Sequence, residues 1–257
     1  MDLLTLAIRC DLTRIGTVEG FGANIRFLQP GDLQPRFEES IAGSAIDHLG
    51  KGLFEAHGRD EAGWEEEAGH KDMWFAARDI AFESPSASID VDAMLARMGF
   101  GQPGSAGGLN LNSRSLPDDI DVNLELIASI MIRVLLIEVQ AFHTFAWAED
   151  WLADRDLVAG EGRAAGLVAH IRADETPHVG YLRTALTEMR DRTWVGASGK
   201  RYAGTDMIGT LWDLMLEDSL GAGKEAARAA ILGEVEHWCH QRSNGADLVA
   251  EFHSLAS

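Results

Sequence analysis

Apolar residues recur along most of the chain at three- and four-residue intervals, the spacing of a helix with one buried face. Almost nowhere do they alternate with the two-residue period of a strand, so the pattern predicts an all-α protein. Pro35 suits the first turn of a helix capped by Asp32 or Gln34, running through "RFEESIAGSAIDHL" to the turn "GKG" at Gly50–Gly52. A second helix is predicted over Leu53–Glu83, with Gly58 and Gly63 as weak points. "SLPDDIDV" reads as another helix start with Ser115 as cap, and its apolar pattern continues to about Ala153. The polar loop "DRDLVAGEG" separates it from a fourth helix over Gly162–Arg192. Two further helices are predicted within "TDMIGTLWDLMLEDSL" and "GKEAARAAILGEVEHWCHQR", and a last turn near the C-terminus.

Three segments follow from this pattern: an N-terminal arm over residues 1–33, a four-helix bundle over 34–192, and C-terminal helices over 193–257 packed on it. The bundle is crossed by a Gly-rich stretch at 84–118. That stretch matches GxGxxG at Gly99, Gly101 and Gly104. No strand precedes the match and Pro103 stands where a helix should begin, so a dinucleotide site is discounted.

Composition narrows the class. At 257 residues the chain buries a large core without disulfides, and its cysteines, Cys10 and Cys239, allow no disulfide framework. The longest apolar run, "LIASIMIRVLLIEV", is interrupted by Arg133 and Glu138 and is too short to cross a bilayer. The opening residues lack the apolar run of a signal peptide. A soluble, cytoplasmic protein is expected. The formal net charge of −19 argues against a nucleic-acid partner, which needs clustered Lys and Arg, while suiting carboxylates gathered around cations.

Candidate chemistry lies in a repeated motif. In a helix, positions i and i+3 share a face, so E-x-x-H aims a carboxylate and an imidazole at one point. Three such pairs occur: Glu67/His70, Glu175/His178 and Glu234/His237. Only the first two have an acid before the Glu, Glu66 and Asp174, placed to hold the outer nitrogen of a ligand histidine. The third pair has no partner Glu at hairpin spacing and reads as a surface pair. A dinuclear bundle site takes one further Glu from each of two other helices. Glu138 supplies one: its face carries Met131, Val134, Leu135, Ala141, Phe142 and Phe145, where a lone carboxylate costs several kcal/mol unless paired or metal-bound. Glu39, preferred to Glu38, supplies the other, on a face with Ala42, Gly43, Ile46 and Leu49. The midpoint between Glu39 and Glu67 is Leu53, beside the "GKG" turn, and that between Glu138 and Glu175 falls near Asp156, in the polar loop. Each hairpin thus brings its Glu level with its E-x-x-H.

The order Glu, (D/E)ExxH, Glu, (D/E)ExxH over residues 34–192 resembles the ferritin-like carboxylate-bridged diiron oxidases and oxygenases. "LLIE" before "VQAFHTF", and "DETPH" before "VGYL", look most like the aldehyde-deformylating branch. The resemblance implies a metal site of Glu39, Glu67, His70, Glu138, Glu175 and His178, with Glu138 and Glu175 closest to the chemistry. It implies two iron ions (manganese as the alternative), O2 as co-substrate, an external electron donor, and a small or medium apolar organic substrate in a cavity walled by Trp74, Phe142 and Phe145. Some diiron N-oxygenases carry an extra histidine, for which His143 and His170 are the candidates, each needing a π-bulge to turn inward. Two departures stand out. Pro177 interrupts the second motif, and Trp74 occupies the place of the radical tyrosine of ribonucleotide reductase small subunits. A homodimer is the expected assembly. The competing readings are an iron-binding protein of ferroxidase type without organic substrate, and a metal-free helical interaction module.

Overall fold

The computed structural model describes residues 3–82 and 114–255, and over these the protein is mostly helical. The GxGxxG match and most of the crossover lie outside the described residues. The helices are α1 (Leu3–Glu19), α2 (Ala45–His48), α3 (Leu53–Ala62), α4 (His70–Phe82), α5 (Val122–Leu152), α6 (Arg163–Arg190), α7 (Gly204–Leu220), α8 (Ala222–His240) and α9 (Gly245–Leu255). Two antiparallel hairpins interrupt them: β1 (Gly63–Trp64) with β2 (Glu67–Ala68), and β3 (Thr193–Val195) with β4 (Arg201–Ala203). No described helix is long and apolar enough to cross a membrane.

The centre of the molecule is the α5–α6 pair, joined by the short polar loop and packed along its whole length. Asp121 caps α5 by accepting from the Leu124 N–H at 3.0 Å. The expected cap, Ser115, lies one extended segment earlier, where Arg114 and the N–H groups of Ser115 and Leu116 are gathered by the buried carboxylate of Glu125. Helix α4 packs on both α1 and α6. Helix α7 covers α5 and α6, and α8 and α9 extend the packing from α1 and α7.

Two apolar layers form the core. One gathers the first half of α5 (Leu124 to Leu135), the second half of α6 (Leu182 to Met189), and Phe54, Trp194 and Ile208. The other gathers the second half of α5 (Phe145, Ala148, Leu152), the first half of α6 (Ala164, Val168, Ile171), and Ile8, Leu12, Ile15 and Trp74. Between the layers the same helix faces turn polar: Glu138 follows Leu135 on α5, and Glu175 and His178 fall between Ile171 and Leu182 on α6. A smaller cluster of Cys10, Val235, Cys239 and Leu248 joins α1 to α8 and α9, with both thiols free.

Three expectations need correction. The N-terminal segment is no arm. Ile8, Leu12 and Ile15 form a buried stripe on α1, and Gly16 lets it approach α4 so closely that a Cβ there would lie 2.8 Å from that of Trp74. The helix expected around Glu39 does not form. After a single 3-10 turn at Gln34–Arg36 the chain runs irregularly, and Gly43, at φ +74°, and the cap Ser44 delay helix until Ala45. The helix expected over Leu53–Glu83 breaks at Gly63, whose φ of +83° no side chain adopts easily, and Glu65 is also left-handed. The hairpin β1–β2 fills the break. By contrast, α6 runs through Pro177 without interruption.

Candidate metal centre

The polar band between the two layers holds two groups of side chains whose ligand atoms lie within 4.8 Å of one another. One is His57, Glu61, Glu138 and His178; the other is Glu19, Glu61, His70 and Glu175. Glu61 belongs to both. Each side chain arrives by a simple local rule. Glu19 ends the α1 stripe of Ile8, Leu12 and Ile15, at the next position of the same face. His57 and Glu61 are one turn apart on α3. His70 opens α4, Glu138 sits mid-α5, and Glu175 and His178 are three apart on α6.

The band is dry. Glu175 is 0% exposed, His57 and His70 1%, His178 2%, Glu61 3% and Glu138 6%. Glu175 spans the two groups: its Oε2 is 2.9 Å from His178 Nδ1 and its Oε1 is 3.2 Å from His70 Nδ1. Glu61 Oε1 lies 3.4 Å from His70 Nδ1, 3.7 Å from His57 Nε2 and 3.8 Å from His178 Nδ1. Glu138 Oε1 is 3.4 Å from His57 Nε2, and Glu19 Oε2 is 3.6 Å from His70 Nδ1. Glycine at position 22 makes room for the shared acid, because a Cβ there would meet Glu61 Cδ at 2.6 Å.

Each histidine turns one nitrogen into the band and the other toward a supporting group. His178 Nε2 meets Asp60 Oδ2 at 3.1 Å, His70 Nε2 faces Asp174 Oδ2 at 3.6 Å, and His57 Nδ1 bonds the Tyr181 hydroxyl at 3.0 Å. Outer partners of this kind fix the tautomer and orientation of a metal-bound imidazole. The rings of His57 and His178 stack at 3.8 Å and 6°.

Burial and the neighbouring charges shift the acids and imidazoles of the band in opposite directions. Burial pushes Glu19 up to about 8 and raises Glu61, and burial followed by the adjacent Glu175 carboxylate holds Glu138 well above the usual carboxylate range. Burial also pushes His57 down to about 3, so that ring is neutral. For His70 and His178 burial opposes the charge, but the surrounding carboxylates, Glu175 foremost, outweigh it and raise both. Glu175 moves the other way, because His178 and His70 together overcome its burial and lower it.

Protons do not satisfy the band. Glu19 Oε2, His57 Nε2, Glu61 Oε2, Glu175 Oε1 and both nitrogens of His70 are buried without a hydrogen-bond partner among the described residues. Such atoms cost about 1–3 kcal/mol each when left unpaired, and a cation could satisfy several of them at once. Four carboxylates and three imidazoles, with no thiolate among them, match hard to borderline divalent cations such as iron or manganese. Four negative charges balance two such ions, and Glu61 and Glu175 are placed to serve both. These residues fit a dinuclear metal centre.

Of the residues anticipated from sequence, His70, Glu138, Glu175 and His178 are brought together here. Glu138 is buried and has a carboxylate oxygen within 4.8 Å of a His178 ring nitrogen. Glu39 is not: it is exposed, and accepts from the Thr193 N–H at 2.8 Å and hydroxyl at 2.9 Å, while Glu38 pairs with Arg201. Glu67 and Glu66 are exposed in the β1–β2 hairpin, so the i,i+3 relation of Glu67 to His70 does not exist. His143 and His170 are exposed on unbroken α-helix, with no π-bulge to turn them. The additional histidine gathered with these residues is His57. Asp174 faces His70 rather than the histidine of its own motif. Trp74 and Phe145 pack at 4.9 Å in the second apolar layer, whereas Phe142 lies under the Arg172 guanidinium at 5.5 Å.

Sequence reasoning missed Glu19, His57 and Glu61, although signals existed. Glu19 continues the apolar stripe of α1, and "HGRDE" places His57 and Glu61 at i,i+4 with an acid just before the Glu, as in "DETPH". The repeated element is Asp60–Glu61 and Asp174–Glu175, each Asp facing a histidine carried by a different helix. No known protein family, curated protein or solved structure matches this chain.

Proposed function

We propose that this chain is an O2-dependent oxidase or oxygenase with a dinuclear non-haem iron centre, manganese being the alternative metal, acting on a small or medium organic substrate. The observation that carries the reading is the pair of donor groups sharing Glu61, with several of their atoms orphaned in a buried band between two apolar layers. In this reading α1, α4, α5 and α6 form a ferritin-like bundle and α3 is an added element supplying His57 and Glu61.

The side chains have distinct tasks. Glu19, Glu61, Glu138 and Glu175 would hold and neutralise two divalent cations together with His57, His70 and His178. Asp60 and Tyr181 hold the outward nitrogens of His178 and His57, and Asp174 faces that of His70, which would keep the inward lone pairs aimed at the metals. The apolar layers exclude water and keep reactive species away from solvent. Iron bound in this set would supply the redox chemistry for O2, with an external donor as the source of electrons.

The test is anaerobic loading with Fe(II), counting of bound iron, and exposure to O2. Two irons per chain and prompt O2 uptake are expected, with both abolished in Glu138→Ala. Unchanged iron content in that variant would remove the proposal. Many irons per chain would favour storage, and none would favour a metal-free helical module.

A further inference from the structure

Glu61 and Glu175 face both donor groups of the polar band, so the remaining ligands distinguish the two cation positions. His57, Glu138 and His178 belong to one position alone, and Glu19 and His70 to the other. The first therefore offers two imidazoles and a carboxylate of its own. The second offers one imidazole and one carboxylate.

The two sets also differ in how firmly the fold holds them. His57, Glu138 and His178 stand inside α3, α5 and α6, each at least a helical turn from either end. The rings of His57 and His178 stack face to face, and each fixes the other. Nδ1 of His57 bonds the Tyr181 hydroxyl at 3.0 Å, and Nε2 of His178 bonds Asp60 at 3.1 Å. Glu19, by contrast, is the last residue of α1 and His70 the first of α4, where helices fray. His70 Nε2 stands 3.6 Å from Asp174 Oδ2, too far for a hydrogen bond, and is buried without a hydrogen-bond partner among the described residues.

Three effects then favour the same position. Imidazole suits iron and its neighbours among the divalent cations. An outer partner that fixes a ligand is worth about 10- to 100-fold in affinity. A side chain that must be immobilised on binding uses part of the energy its new bond releases. We infer that the two cation positions are unequal: the His57–His178 position fills first and retains its ion, and the Glu19–His70 position fills second and releases its ion readily. The inference rests on the dimetal reading and adds an order of loading to it, so that the supply of the second ion decides whether the centre is complete.

The test is anaerobic calorimetric titration of Co(II) into the metal-free full chain, with the visible absorption of bound Co(II) followed in parallel. Two steps of one ion each are expected, their dissociation constants at least about 10-fold apart. His57→Gln should abolish the tighter step and leave the weaker, whereas His70→Gln should abolish the weaker and leave the tighter. Tyr181→Phe keeps every ligand and should weaken the tighter step alone, about 10- to 100-fold, and it decides the matter where a histidine variant fails to fold. Two ions bound with equal affinity, a tighter step lost in His70→Gln rather than in His57→Gln, or a tighter step indifferent to Tyr181→Phe overturns the inference and leaves the dimetal reading standing. Fewer than two ions at saturation removes that reading, and the inference with it.

Discussion

Glu61→Gln isolates the shared ligand with little change of shape, and Glu67→Gln is its matched control six residues away in the chain. Glu61 faces His57, His70 and His178 at 3.4–3.8 Å and belongs to both donor groups, so neutralising it leaves three carboxylates for two divalent ions and weakens both positions at once. Loss of an outer partner of a metal ligand already costs about 10- to 100-fold in affinity, so loss of a shared inner ligand should exceed the top of that range. Wild type at a metal concentration of about 100 Kd gains about 2.7 kcal/mol from binding. For a chain of this size that raises Tm by about 5–11 °C. The gain should vanish in Glu61→Gln and persist in Glu67→Gln. The metal-free proteins should behave oppositely: Glu61→Gln removes a carboxylate with a buried orphan oxygen and should be as stable as metal-free wild type, or more so by about 1 kcal/mol. Elemental analysis of purified protein and thermal unfolding with and without chelator read both effects. Metal retained by Glu61→Gln and lost by Glu67→Gln would refute the geometry described here.

Metal binding should release protons. Burial raises Glu19 to about 8 and, with the adjacent Glu175, raises Glu138; the surrounding carboxylates raise His70 and His178, while burial lowers His57 to about 3, so cation binding competes with protons at all of these groups except His57. Apparent affinity should therefore climb as pH rises toward and through 8, with proton release visible to a pH-sensitive dye during anaerobic Fe(II) titration; pH-independent affinity would contradict that competition. Tyr181→Phe removes the partner of His57 Nδ1 and should weaken metal binding about 10- to 100-fold with the helical circular dichroism unchanged. Gly22→Ala forces a Cβ against Glu61 and should cost about 1–3 kcal/mol in unfolding by denaturant as well as metal affinity. An unaffected metal content in Gly22→Ala would show that Glu61 has room to move.

How far the chain explains itself differs between its two halves. In α5 and α6 the helical period is long and unbroken, so the faces of Glu138, Glu175 and His178 could be read directly and the short polar loop fixed their level. Around His70 the same motif logic failed, because E-x-x-H has its meaning only inside a helix. Gly63 at φ +83° and the left-handed Glu65 take Glu67 out of the helix. Glu39 failed for the same reason: Gly43 and Ser44 postpone the helix that would have aimed it inward. Sequence by itself determined the helical class, the long α5–α6 hairpin, and a charged layer within it that apolar neighbours would not tolerate unpaired. Only tertiary structure decided which remote acids meet that layer. Helix α1 reaches the site because Gly16 permits close contact with α4, and Glu61 because Gly22 leaves space for it. Local periodicity tells a side chain which face it occupies; which distant face it meets depends on packing between elements, and that is set by where small residues let backbones approach.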